Sequence, residues 1–236
     1  MAFKGKKLRF IASVIFLVLF FGVGVFFSQD DSASEYRKSE EFVENLEIID
    51  SPLLKIQPGE LFMGKKDAKV TIIDFASMSC PHCASFYSQA FDKIKEEYID
   101  KGLVKFVYRD FPLNRGSLAA AAIAICRAGE FPEGDRAEGY HGFVKKIYDS
   151  QNSWTISNDP VAKLIDIAVL DGMTKKAAIF CSKDTKLHDK ILQMRLAFAK
   201  GLEIKSTPTF FVNDKKVQGF IDYEEIRAVI ESELKK

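Results

Sequence analysis

The sequence predicts an α/β fold, a small mixed sheet interrupted by a helical insertion, and three patterns along the chain carry that prediction. Lys69 to Ala76, "KVTIIDFA", and Leu103 to Arg109, "LVKFVYR", are β-branched and apolar runs separated by a helical pattern from Pro81 to about Asp100. The following stretch of about 85 residues shows helix periodicities and no good strand. β-structure then returns as a hairpin, Thr209–Val212 and Lys216–Gln218 about a turn at Asn213-Asp214, and a helix over Tyr223–Lys235 closes the chain.

Each element has a local reason. The N-terminus opens with Lys4, Lys6, Lys7 and Arg9, then runs uncharged from Phe10 to Phe27 over 18 residues. This is an export segment: its length reaches that of a short spanning helix, and its best cleavage site is the weak Gly22-Val23-Gly24, so an uncleaved membrane anchor and a cleaved signal peptide both fit. With positive charge held inside, the remaining chain lies outside the cytoplasm, where disulfides persist. Ser28 to Ser39 is polar and reads as a linker. Phe42, Val43, Leu46 and Ile49 recur at helical spacing and predict a short amphipathic helix over Glu40–Ile49, a helix packed on the domain or an oligomerisation stalk. Asp50-Ser51-Pro52 and Gln57-Pro58-Gly59 then break the chain. The insertion contains Ser117–Ala128, Tyr140–Ser150, Pro160–Leu170 and Asp184–Lys200, with Val161, Leu164, Ile165, Ala168 and Val169 sharing one face of the third. The segment boundaries are therefore 1–27 for the signal or anchor, 28–57 for the linker, 58–114 with 201–236 for the sheet domain, and 115–200 for the insertion.

A chain of 236 residues with 47% hydrophobic content and 21 Phe is ample for one substantial core. Its formal charge of +1 owes its sign to the four N-terminal cations, and the body beyond them is mildly acidic. Such a body, without a dense Lys/Arg block or arginine-aromatic interleaving, offers nothing to a phosphate backbone, which excludes nucleic-acid binding.

Chemistry concentrates at Ser79 to Ala84, "SCPHCA". If the two flanking strands are parallel, the connection is a right-handed crossover, and Cys80 falls at a strand's carboxyl end and a helix's N-terminus. There the orphan amides and the helix dipole stabilise a thiolate. Pro81 suits the first helical position, and His82 adds positive charge or a hydrogen bond, so Cys80 should ionise easily and a Cys80–Cys83 disulfide should be readily attacked. Two other readings compete. Zinc needs a second ligand pair, whereas Cys126, Cys181, His141 and His188 stand apart, so no metal is expected. An inert staple closing so short a loop would constrain the unfolded chain little. His141, His188 and Trp154 read most simply as core or surface residues.

A second signature is Ser206 to Asn213, "STPTFFVN". Pro208 opens a strand, either as an ordinary trans proline or as a cis proline facing the dithiol, which would leave the Thr207 backbone free to pair with an extended substrate. Together "DFASMSCPHC", "FVYRDFPL", "DSQNSW", "CSKD", "STPTFFVN" and "VQGF" resemble the DsbA family of bacterial thiol-disulfide oxidoreductases, from about Pro58 to Lys235.

That resemblance implies a thioredoxin-like fold carrying an inserted all-helical domain, with Cys80 the exposed nucleophile, Cys83 its buried partner and Pro208 in cis. It places Asp74 as a buried acid beneath the dithiol, an acid/base group for Cys83 or else a satisfied structural carboxylate. The best-known members carry an acid four residues after the second cysteine, where Tyr87 stands here. The alphaproteobacterial branch adds a second, non-catalytic bridge, which implies a Cys126–Cys181 disulfide worth about 4 kcal/mol on the entropic model; free buried thiols are the alternative. No cofactor is implied. The implied activity is disulfide donation to exported proteins with free cysteines, with reoxidation by a quinone-linked membrane partner resembling DsbB. The alternatives are a disulfide isomerase or reductase of the same fold and a non-catalytic chaperone or interaction module.

Overall fold

The computed structural model describes residues 37–219 and 221–236. The apolar segment Phe10–Phe27 lies outside the described residues, and among those described no helix is long and apolar enough to cross a membrane. The chain divides into two units after Asn45. The described part of the first is a helix over 37–44.

The second unit, Leu46–Lys236, is built on a mixed sheet. Among the described residues it has five strands: β1 (Glu47–Ile48), β2 (Val70–Ala76), β3 (Val104–Asp110), β4 (Thr209–Val212) and β5 (Lys215–Gln218), in the order β1-β5-β4-β2-β3. β2 and β3 are parallel, with Asp74 opposite Tyr108 and Ala76 opposite Asp110. The other pairings are antiparallel. The hairpin turns at Asn213, whose φ of 55° is the left-handed conformation that Asn tolerates. β1 corrects one expectation. The helix predicted to reach Ile49 stops at 44, and Glu47 and Ile48 pair with Lys216 and Lys215. The open edge of β5 offers these residues a ladder, and Ile49 N–H adds a bond to the Asp214 carbonyl (2.8 Å); tertiary pairing overrides the local helical spacing.

The alternation of strand side chains sorts the core into two layers. Ile73, Phe75, Val107 and Phe211 face one side, where Phe198, Leu202 and Ile204 pack on them. Ile72, Asp74, Phe106, Tyr108 and Phe210 take the opposite parity. That second face is covered by α1 (Pro81–Phe86), which continues through π turns at Tyr87–Phe91 and Lys95–Ile99 flanking the single α turn Asp92–Ile94. The Phe86 and Phe210 rings meet at 4.5 Å. Arg109 ties the segment between β1 and β2 to the sheet: the guanidinium pairs with Glu60 at 2.6 and 3.0 Å and donates to the Leu53 and Lys55 carbonyls.

The insertion is helical throughout: α2 (Arg115–Gly129), α3 (Arg136–Asp149), α4 (Gln151–Thr155), α5 (Pro160–Leu170), α6 (Lys175–Ser182) and α7 (Thr185–Gly201). Start signals are explicit. Asn114 and Ser117 cap α2 reciprocally, Asp159 caps α5 ahead of Pro160, and Thr174 and Asp184 cap α6 and α7. Cys126 of α2 and Cys181 of α6 are joined by a disulfide across 55 residues of sequence. Asp171 accepts from Arg127 and Lys146, tying α2 to α3 through the end of α5. The chain closes with α8 (Tyr223–Lys235), capped by Asp222 and Glu225.

Candidate active site

β2 ends at Ala76, the loop Ser77–Ser79 turns, and Cys80 begins α1 as its N-cap with Pro81 at the first helical position. Cys80 and Cys83 are both free thiols. The exposed Cys80 implied by the resemblance is a correction: Cys80 is 5% exposed and Cys83 1%. What covers it is the Thr207-Pro208 loop, whose peptide bond is cis, and the Cys80 thiol donates to the Thr207 carbonyl oxygen at 3.2 Å.

The two sulfurs have opposite acidities. Cys80 is lowered to about 5, chiefly because the Cys83 thiol donates to its thiolate; burial opposes this, and the Thr207 side chain and the backbone N–H groups of Cys83 and His82 add to it. Cys83 is pushed well up by burial first, then by donating to Cys80 and by the nearby Asp74 and Cys80 charges. The pair therefore shares one proton, held on Cys83. His82 takes part through its main chain, while its side chain is exposed.

Asp74 lies below the dithiol on the face covered by α1 and is fully buried. Neither carboxylate oxygen accepts a hydrogen bond from the described residues. Burial, and then repulsion from a Cys80 thiolate, raises its pKa well above the carboxylate range. Beside it, the Tyr87 hydroxyl is also buried without a partner among the described residues.

Sequence reasoning missed the groups that hold the loop. Gln151, at the start of α4, donates from Nε2 to the carbonyls of Met78 (2.8 Å) and Cys80 (3.0 Å). Asn114 donates to Ser79 Oγ (3.0 Å), which also meets Ser77 Oγ at 3.1 Å. Gln151 fell inside "DSQNSW", a stretch that carried the resemblance without a role for any one residue. The Cys126–Cys181 bridge lies in the helical insertion and the dithiol at the end of β2, as separate features. Among the described residues no group of three His, Cys, Asp or Glu side chains is placed to hold a metal ion.

The same arrangement has relatives. A family model described as Thioredoxin matches residues 57–232. Disulfide bond formation protein D of Bacillus subtilis is 31% identical over 189 residues, covering 80% of this chain and 82% of its own. A relative from Rickettsia bellii is 30% identical over 166 residues, 70% of this chain, and the matched stretch spans only 61% of that relative's length. The crystal structure of Wolbachia pipientis alpha-DsbA1 superposes with a TM-score of 0.71 at 31% identity, over 78% of this chain and 94% of that one. With the fold, the dithiol at a strand-to-helix junction and these relatives in agreement, the chain belongs to the DsbA-like family of thioredoxin-fold disulfide oxidoreductases.

Proposed function

We propose that this protein donates disulfide bonds to exported proteins through Cys80 and Cys83, with the Thr207-Pro208 loop as the surface against which an extended substrate lies. One arrangement carries the reading: Cys80 caps the N-terminus of α1 against the cis Thr207-Pro208 loop, with Cys83 buried behind it, and there Cys80 is lowered to about 5 while Cys83 is raised. A sulfur that leaves readily as a thiolate makes its disulfide easy to break and costly to keep, which favours oxidation of other thiols.

The steps follow from the two acidities. A substrate thiolate attacks Cys80 Sγ; the Cys80–Cys83 bond breaks, and its electron pair stays on Cys83, which takes a proton. A second substrate thiolate attacks the substrate sulfur of the mixed disulfide, and Cys80 departs as a stabilised thiolate. The substrate leaves oxidised and the dithiol reduced. Asp74, close enough for its charge to raise Cys83, is the acid that serves the Cys83 proton. The sulfur has to be reoxidised elsewhere, and the N-terminal segment and compartment argued from the sequence favour a membrane partner resembling DsbB.

The deciding experiment equilibrates the Cys80/Cys83 couple with glutathione and measures its reduction potential. A couple well above thioredoxin-like reductants, whose potential is about −270 mV, is expected. A value at or below that level sinks the oxidase reading. Catalysed refolding of a scrambled substrate, coupled to an assembly larger than a monomer, would point to the isomerase instead. Activity unchanged in Cys80→Ser would leave only a binding role.

A further inference from the structure

Four tyrosines fill the layer between the sheet and the helices that cover Asp74. Tyr108 stands opposite Asp74 in the β2–β3 register, and Asp110 follows two residues later on the same face. Tyr87, on the first π turn, stacks on Tyr148 of α3 with centroids 4.6 Å apart. The Tyr148 and Tyr108 hydroxyls meet at 2.9 Å. Tyr140, also of α3, lies 6.1 Å from the Tyr108 ring and donates to Asp110 Oδ2 at 2.6 Å. All four rings are buried, whereas Asp110 is only half-buried, at the rim where β3 ends. The layer thus runs from a fully buried acid to one that meets solvent.

We propose that Tyr87, Tyr108, Tyr148 and Tyr140 form a phenol relay that passes a proton between Asp110 at the rim and Asp74 beneath the dithiol, with buried water joining the hydroxyls that are not directly bonded: Asp74 to Tyr87, Tyr87 to Tyr148, and Tyr108 to Tyr140. The inference rests on the oxidoreductase reading. Buried polar atoms that find no protein partner are the sites where ordered water is held, and both Asp74 oxygens and the Tyr87 hydroxyl are of that kind. When the Cys80–Cys83 bond breaks, Cys83 holds a thiolate in a buried site, and the Asp74 carboxyl protonates it. The carboxylate left behind recovers its proton from the relay. Each phenol gives one proton and accepts one, so no tyrosinate forms, and Asp110 takes the replacement proton from solvent. Burial favours this mode, since it holds every phenol of the layer firmly neutral. Asp110 is suited to exchange at the rim: burial raises it to about 6, against the Tyr140 hydrogen bond.

The test separates rate from equilibrium. The full chain, oxidised, is reduced by excess dithiothreitol at pH 7 in H2O and in D2O, and its equilibrium constant with glutathione is measured separately. Tyr148→Phe keeps the ring stack and removes one oxygen; Asp110→Asn removes the exchanging group at the rim, with Asp110→Glu as its rescue. Each of the first two is expected to slow reduction about tenfold and to change the H2O/D2O rate ratio, while the glutathione constant stays within about threefold and Asp110→Glu restores the rate. Wild-type rate and isotope ratio in both variants would overturn the relay, as would rate and equilibrium falling together. If Tyr148→Phe does not fold, Asp110→Asn and its rescue decide alone. A wild-type protein that fails to exchange with dithiothreitol would defeat the oxidoreductase reading itself.

Discussion

The chemistry of the site rests on which of two sulfurs carries one proton. Cys80 gains its acidity from the Cys83 thiol, Thr207 and two backbone N–H groups, and Cys83 loses acidity by burial. A pH dependence follows with a definite sign. In the reduced form Cys80 titrates near 5 when folded and near its ordinary value of 9 when unfolded. A lowered pKa stabilises the fold above the unfolded value, and that contribution is lost as pH falls from 9 towards 5. The disulfide form has no such group; the burial of Asp74 is common to both forms, while its repulsion by the Cys80 thiolate acts in the reduced form alone and subtracts from the difference. The reduced protein should therefore exceed the oxidised one in urea midpoint at pH 8, with the gap closing by pH 5. A gap independent of pH would mean that no stabilised thiolate exists. The sequence made Cys80, Cys83, Asp74, Thr207 and Pro208 legible, because strand pattern, helix start and spacing meet there. It left Gln151 and Asn114 silent, because their partners Met78, Cys80 and Ser79 lie tens of residues away and no local periodicity marks a side chain that reaches a distant carbonyl or hydroxyl.

Among the elements, those with strong periodicity or explicit caps were readable, and those decided by a partner were not. β2, β3, the hairpin and α8 fall within a residue of their predicted bounds, since β-branched runs and turn residues mark them locally. The helix after the dithiol keeps its predicted extent but not its regularity, for the π turns insert where Tyr87, Phe91, Tyr98 and Ile99 are all drawn into the core. β1 exists only because β5 needs a neighbour. Two substitutions probe this level. Cys126→Ala with Cys181→Ala removes the α2–α6 bridge and should lower stability by about 4 kcal/mol in denaturant titration, while alkylation of Cys80 keeps its midpoint near 5. A shifted midpoint would mean that the insertion's bridge tunes the dithiol. Glu60→Ala strands the Arg109 guanidinium, 1% exposed at its side chain, and should cost about 3–5 kcal/mol by the same titration. A cost under about 1 kcal/mol would show that the Leu53 and Lys55 carbonyls satisfy Arg109 on their own.

At the scale of the molecule, one sheet serves two purposes on its two faces. One face is an apolar layer against Phe198, Leu202 and Ile204, which holds the strands together. The other carries Asp74, Tyr108 and Asp110 under the dithiol helix. Alternation along β2 and β3 allots residues to these faces, so the division was implicit in the strand pattern. The identity of the covering elements was not, because it depends on how the insertion returns to the sheet. Gln151 joins the insertion to the dithiol loop, as Tyr148 and Tyr140 join it to β3, and one turn beyond Gln151 sits Trp154, buried, with its indole N–H donating to the Ile147 carbonyl at 3.1 Å.

Trp154 is the chain's sole tryptophan. Its emission therefore comes from one place, one turn from the Gln151 amide that holds the Met78 and Cys80 carbonyls. Closing and opening the nearby sulfur bridge should register as a change in intensity or wavelength, giving a label-free optical signal of turnover. Replacing Gln151 with Leu should uncouple that signal from the thiol state while the indole stays buried. Emission identical in the two wild-type states would mean that the Gln151 contacts transmit nothing to Trp154.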